Sequence, residues 1–165
     1  MEHIKLVILD VDGTMTDGGM YYSAEGDIIK KFQVKDGMGI VLLKKAGFKV
    51  AIMTSEDSPI VATRAKKLEV DATILGCHNK TDAVKLLAEE MQLEMKNIAF
   101  MGDDVNDYHA MKLVGFSTCP SDAVDAIKQI SDYVCQAKGG NGAVREFAEL
   151  ILRTHEKTNI LNENW

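Results

Sequence analysis

The sequence predicts an α/β protein, a Rossmann-like parallel sheet with helices on both faces and a β-hairpin inserted after the first strand. Two observations predict this class. Apolar, strand-like runs alternate with segments of helical length along the 165 residues, and such alternation implies a parallel sheet covered on both faces. No repeat, low-complexity tract or linker divides the chain, so residues 1–165 read as a single domain with its own core.

The expected strands are residues 4–9, 49–53, 72–75, 97–101, 115–119 and a short one at 133–135. Between the first two lies a segment of a different kind, residues 18–34. There Met20-Tyr21-Tyr22 and Ile28-Ile29 flank the turn signal Ala24-Glu25-Gly26-Asp27, which reads as a β-hairpin. A lone hairpin is marginal in water, so its apolar residues are expected to pack on another subunit. Asp36 can cap a helix with Met38, Val41, Leu42 and Lys45 on one face, ended by Gly47. Ser58-Pro59 opens a second helix carrying Val61, Ala65 and Leu68. Asn79 opens a third with Val84, Leu87, Ala88 and Met91 on one stripe. The last long helix follows Gly139-Gly140-Asn141-Gly142 and presents Val144, Phe147, Ala148 and Ile151. The polar tail after Arg153, ending Asn162-Glu163-Asn164-Trp165, is expected to be mobile.

Composition narrows the function. A net charge of −6 without any basic block argues against nucleic acid. Apolar runs are far shorter than a membrane span, and no signal-peptide pattern opens the chain. Cys77, Cys119 and Cys135 are widely spaced and odd in number, which fits reduced thiols and a cytoplasmic protein. His3, His78, His109 and His155 show no metal-like spacing.

Open parallel sheets bind ligands beyond the carboxyl ends of their strands, and four features converge on that edge. The first strand ends on Asp10-Val11-Asp12-Gly13-Thr14, whose carboxylates, two residues apart, address one spot. Another strand ends on Gly102-Asp103-Asp104, with Asp107 three residues later. Alone, Asp104 and Asp107 fit the first turn of a helix. Two strand ends bearing acid clusters, however, suit a hard divalent cation such as Mg²⁺, which would let the acids tolerate one another. Thr54-Ser55 ends a third strand with two hydroxyls, and Lys80 stands at a helix start, where a cation is unfavourable unless an anion is near.

The order Asp-x-Asp-Gly-Thr, Thr, Lys, Gly-Asp-Asp-x-x-Asp resembles the haloacid dehalogenase superfamily over nearly the whole chain. The resemblance implies Asp10 as the nucleophile that becomes an aspartyl-phosphate. It implies Asp12 as general acid and base whose backbone carbonyl touches the metal. Thr54 and Lys80 would hold phosphoryl oxygens, and Asp103 would ligate Mg²⁺ with support from Asp104 and Asp107. A carboxylate nucleophile divides hydrolysis into two steps, while metal and lysine balance the charge of the transferring group.

No room for a large cap domain exists between the first motifs. A capless form with a hairpin and Lys138-Gly-Gly-Asn-Gly-Ala-Val-Arg145-Glu146 is similar to 3-deoxy-manno-octulosonate 8-phosphate phosphatases. Relatives of that group act on nine-carbon sialic-acid-type 9-phosphates or form the C-terminal domain of sialic acid cytidylyltransferases. The resemblance implies a homotetramer in which hairpins pack together and a neighbour covers each site. Ser55-Glu56 replaces the Gly-Arg typical of the eight-carbon enzymes, and with Arg64 and Lys67 it resembles the nine-carbon branch. Physically, Arg64 and Lys67 are three apart and could grip a sugar-acid carboxylate, while Glu56 could accept from sugar hydroxyls. A solvated helix face explains the two cations equally well. The expectation is a Mg²⁺-dependent sugar-acid phosphatase favouring the nine-carbon 9-phosphate over the eight-carbon 8-phosphate. The alternative is a non-catalytic oligomerisation or regulatory module, although such domains tend to lose the first aspartate.

Overall fold

The computed structural model describes residues 1–162. Six parallel strands form one sheet in the order β5-β4-β1-β6-β7-β8. They are β1 Leu6–Leu9, β4 Lys49–Met53, β5 Ala72–Ile74, β6 Ile98–Met101, β7 Phe116–Cys119 and β8 Tyr133–Val134. The helices are α1 Val34–Lys45, α2 Pro59–Leu68, α3 Lys80–Glu90, α4 Tyr108–Leu113, α5 Asp125–Ile130 and α6 Ala143–Thr154. The expected strands are all present, shorter by one or two residues where the outer residues pair only as loop extensions.

β1 lies at the sheet's centre, and its alternating side chains divide two cores. Val7 and Leu9 join the core shared with α1, α2 and α6, whereas Leu6 and Ile8 join that of α3, α4 and α5. Burial on both faces explains why the run is apolar throughout. Each such side chain contributes roughly 1.5–3 kcal/mol relative to exposure. Leu9 stands level with Ile52 of β4 and Met101 of β6. The residues that follow these strands, Asp10, Thr54 and Gly102-Asp103, therefore lie side by side at one sheet edge. The chain crosses over to opposite sides from β1, which makes this edge the switch point where ligands bind.

Ser58 with Pro59 starts α2, and Asn79 caps α3 by accepting from the Asp82 amide. The α6 stripe is buried as its spacing predicts. The expected face of α1 requires correction. Ile40 and Leu43 are fully buried, while Met38 and Lys45 are exposed. α1 packs on α6 as well as on the sheet, and that rotates its apolar stripe. Asp36 is not the cap of its own helix, because Gln33 fills that position. Its buried carboxylate instead accepts from the amides of Gly142 and Arg145, capping α6 from across the interface. Burial pushes the Asp36 carboxyl up, with those amides opposing the shift. Asp36→Ala is expected to cost about 1–3 kcal/mol in urea denaturation, since it leaves buried donors unpaired. An unchanged midpoint would show that water replaces the carboxylate.

The tail is also corrected. A short turn over Thr158–Asn162 places Ile160 in the core, so the chain beyond Arg153 is docked. The remainder of the expected mobile tail, residues 163–165, lies outside the described residues.

The hairpin is present as β2 Tyr21–Ser23 and β3 Gly26–Ile29, a separate antiparallel pair. Tyr21 and Tyr22 are both exposed, and so are Ile28 and Ile29. All four are more than half exposed, so these apolar side chains are left largely uncovered by their own domain.

Candidate active site

The carboxyl edge opens into a cavity of about 310 Å³ lined by Asp10, Asp12, Thr54, Glu56, Asp103 and Asn106, among others. Strand-end residues supply its floor. Asp10 is held where β1 ends, its amide bonded to the Met101 carbonyl at 2.9 Å, and it is only 4% exposed. The chain then turns at Gly13, whose φ of +84° favours glycine. A Cβ there would stand 2.0 Å from Asp103 Oδ2, so only glycine lets the β1 and β6 loops meet.

Three carboxylates converge. Ligand oxygens of Asp10, Asp103 and Asp107 lie within 4.8 Å of one another. Lys80 Nζ donates to Asp10 Oδ1 and Asp107 Oδ1, both at 2.5 Å, and is itself buried. That contact explains a lysine at a helix start. Asp107 does not act as an N-cap, since its other oxygen accepts from the Asp103 amide at 3.1 Å. It is a fully buried strut between Lys80 and the β6 loop. Asp104 is exposed and accepts from the Val105 amide, at the cavity's rim. Thr14 Oγ1 donates to Asp103 Oδ1 at 3.2 Å.

Burial, then the charge of Asp107, pushes Asp10 well above the ordinary 3.8, with Lys80 pulling the other way. The same two causes push Asp103 up to about 7. Burial alone would lower Lys80, but Asp10 and Asp107 outweigh it and raise it. One ammonium among three carboxylates, two buried and one half-buried, leaves excess negative charge when they ionise, and the donors are all hard oxygens. The set therefore fits a divalent cation of the Mg²⁺ type.

This electrostatic state has a measurable consequence. In the folded chain Asp103 keeps its proton to about pH 7, while unfolded it would lose it near 3.8. Between these values the folded state binds more protons, so stability falls as pH rises. The raised Asp10 and Asp36 act in the same direction. In chelator, the Tm is expected to drop from about pH 5 to about pH 8. Added Mg²⁺ should raise it most at the alkaline end. A Tm in chelator that climbs over that interval would contradict the account.

Asp10 and Asp12 do not share one environment. Asp12 sits nearer the mouth, its side chain 34% exposed, and its Oδ1 accepts from Lys30 Nζ at 2.6 Å. Its Oδ2 is buried and has no hydrogen-bond partner among the described residues. Thr54 Oγ1 accepts from the Glu56 amide at 3.2 Å, which leaves the hydroxyl hydrogen to donate into the cavity. Glu56 lines that cavity. Arg64 and Lys67, expected to share a grip on substrate, do not line it. The Arg64 guanidinium lies over the Phe32 ring and against Gly37, and burial holds it below its usual range. Lys67 borders a separate surface depression near Lys44 and Glu69. α2 points their side chains differently because its Val61-Ala65-Leu68 stripe faces the core.

Sequence reasoning missed Lys30 and the bridge from Asn106 Nδ2 to Ser55 Oγ, 3.4 Å, across the mouth. No sequence signal marked Lys30: only the structure shows it buried next to exposed Ile28 and Ile29. The Gly139–Gly142 stretch packs directly on the turn that follows β1. The Gly140 amide bonds Thr14 O at 3.0 Å, and a Cβ on Gly139 would collide with the Gly13 carbonyl.

A family model described as haloacid dehalogenase-like hydrolase matches residues 76–147. The chain is 37% identical over 162 residues to the 3-deoxy-D-manno-octulosonate 8-phosphate phosphatase of Haemophilus influenzae, covering 98% of this chain and 90% of that protein. The Escherichia coli K12 enzyme of the same name is 37% identical over 94% of this chain and 83% of its own. Among solved structures, the cobalt-bound form of the Haemophilus influenzae phosphatase superposes with a TM-score of 0.95 at 37% identity, covering 98% and 95% of the two chains. The Moraxella catarrhalis phosphatase in complex with magnesium ion, phosphate ion and KDO gives 0.94 at 37% identity, covering 98% and 92%. With its parallel sheet, its carboxylate cluster and these relatives, the chain belongs to the haloacid dehalogenase superfamily, in the capless group typified by the 3-deoxy-D-manno-octulosonate 8-phosphate phosphatases.

Proposed function

We propose that the protein is a Mg²⁺-dependent phosphatase that releases a 3-deoxy-ulosonic acid from its phosphate monoester through a phosphoryl group carried on Asp10. The observation that carries this reading is Asp10 itself, buried at the cavity floor with one oxygen held by Lys80. An Asp10 oxygen attacks phosphorus as the bond to the sugar oxygen breaks, and Asp12 donates a proton to that leaving oxygen. Asp12 then takes a proton from the water that attacks phosphorus, and inorganic phosphate departs with Asp10 restored. Thr54 and Lys80 orient the phosphoryl oxygens. Mg²⁺ bound by Asp10, Asp103 and the Asp12 carbonyl, with Asp107 and Asp104 in support, would neutralise the negative charge of the group in transfer. The non-catalytic alternative has no observation in its favour, since Asp10, Lys80 and Asp103 stand together.

The relatives' names support the eight-carbon 8-phosphate. The placement of Glu56 on the cavity wall supports the nine-carbon 9-phosphate, because an acid there accepts from additional hydroxyls. Phosphate release from both compounds, with Mg²⁺ or chelator, tests the reading. Mg²⁺-dependent turnover of at least one is expected, and the ratio of kcat/KM decides the substrate. Failure of a folded, Mg²⁺-binding protein on both would overturn the assignment.

The same reading includes a homotetramer closed through the hairpin, supported by the bare faces of Tyr21, Tyr22, Ile28 and Ile29. Light scattering on the wild type should give a multiple of the 18.2 kDa chain. Tyr22→Glu with Ile29→Glu should give smaller species. A monomeric wild type would contradict it.

A further inference from the structure

We propose that Lys30 is a positioning residue for the reaction, pinning the Asp12 carboxylate and thereby tying its orientation to the seating of the hairpin. The inference rests on the reading of Asp12 as the group that moves a proton at the leaving oxygen.

Lys30 follows β3 directly, at the point where the hairpin rejoins the domain. Its side chain is 2% exposed and crosses to Asp12, 18 residues earlier, with Nζ 2.6 Å from Oδ1. A buried ammonium is costly without a partner, so the hairpin base is stable where that carboxylate meets it. Lys31, the next residue, makes a second and exposed pair with Asp17 at 2.8 Å, so the base is fastened at two points. Asp12 Oδ1 is held by Lys30, whereas Oδ2 is buried and has no hydrogen-bond partner among the described residues, so the Lys30 contact is the side-chain hydrogen bond that fixes how the carboxylate stands at the cavity Asp12 lines. A carboxylate free to rotate would hold its productive orientation for only part of the time, and a small displacement of a proton donor is costly to the rate. The hairpin thus carries both the exposed apolar residues and, at its base, the clamp on Asp12. Contacts made by the former reach the chemistry through the latter.

The test compares Lys30→Met with wild type on two substrates. Methionine fills a similar volume without charge, and Asp12 is exposed enough for water to solvate it once unpaired. A sugar phosphate leaves as a poor alkoxide and needs its proton, whereas p-nitrophenyl phosphate leaves readily without one. For Lys30→Met, kcat on the sugar phosphate should fall about 10- to 100-fold with KM within about threefold. The release of p-nitrophenol in the first turnover should be nearly unchanged. Lys30→Gln, which keeps a donor toward Oδ1, should recover part of the loss. Wild-type kcat on the sugar phosphate in Lys30→Met would overturn the proposal. So would an equal loss on both substrates accompanied by a changed oligomeric state, which would mark the pair as structural. Asp12→Ala separates the two readings. If it is crippled on the sugar phosphate while Lys30→Met is not, the proposal alone fails. If Asp12→Ala turns over as wild type, the reading of Asp12 fails and takes the proposal with it.

Discussion

Asp10→Asn is expected to abolish phosphate release from any monoester the wild type hydrolyses. The amide is nearly isosteric but is no nucleophile, and losing a nucleophile of this kind costs on the order of 10⁴-fold or more. The fold should survive. Asp10 is buried with its carboxyl pushed well up, chiefly by burial and then by the charge of Asp107. Removing a charge from that crowded cluster relieves repulsion, and the amide oxygen can still accept from Lys80. Circular dichroism and the Tm should match or exceed wild type in chelator. Retained turnover would show that another group attacks phosphorus.

Lys80→Met should have the second largest effect, and on both activity and stability. Lys80 Nζ bonds Asp10 and Asp107 at once. Without it, the buried carboxylates face each other with no ammonium between them, and breaking a buried pair in this way costs about 3–5 kcal/mol. Activity should fall about 10³-fold, since the transferring phosphoryl group loses a preorganised positive charge. Mg²⁺ should raise the Tm of this variant by more than it raises that of wild type, because the cation then answers more of the negative charge. A variant with wild-type Tm and kcat would show that the paired aspartates are protonated and that Lys80 is dispensable.

Much of this architecture was legible in the residues. Strands buried on both faces announce themselves as apolar runs, and their order with helices between them left little choice of topology. Asp10, Asp12, Thr54, Lys80 and Asp103 could be named because each is out of character at its position: acids and hydroxyls where apolar strands end, a cation where a helix starts. The face of α1 was not legible, because α1 contacts both the sheet and α6, and small Gly37 and Gly39 weaken its periodic signal. The role of Asp36 was hidden for a related reason. Its partners, the amides of Gly142 and Arg145, are more than 100 positions away. That Arg64 stands away from its own chain's cavity was not legible, because spacing on a helix says which residues are neighbours, not that Phe32 and Asp36 will draw one of them aside. Lys30 was overlooked since a lysine in a hairpin ordinarily faces water.

A phosphoryl group that passes through Asp10 should be caught on it. Wild-type protein mixed with substrate and Mg²⁺, quenched in acid during the first turnovers and digested, permits a direct look at the peptide bearing Asp10. This peptide is expected to gain the mass of one phosphoryl group, hydroxylamine to remove it, and Asp10→Asn never to acquire it. Steady phosphate release with no modified peptide at any quench time would mean that water attacks the substrate directly, and the account would be wrong.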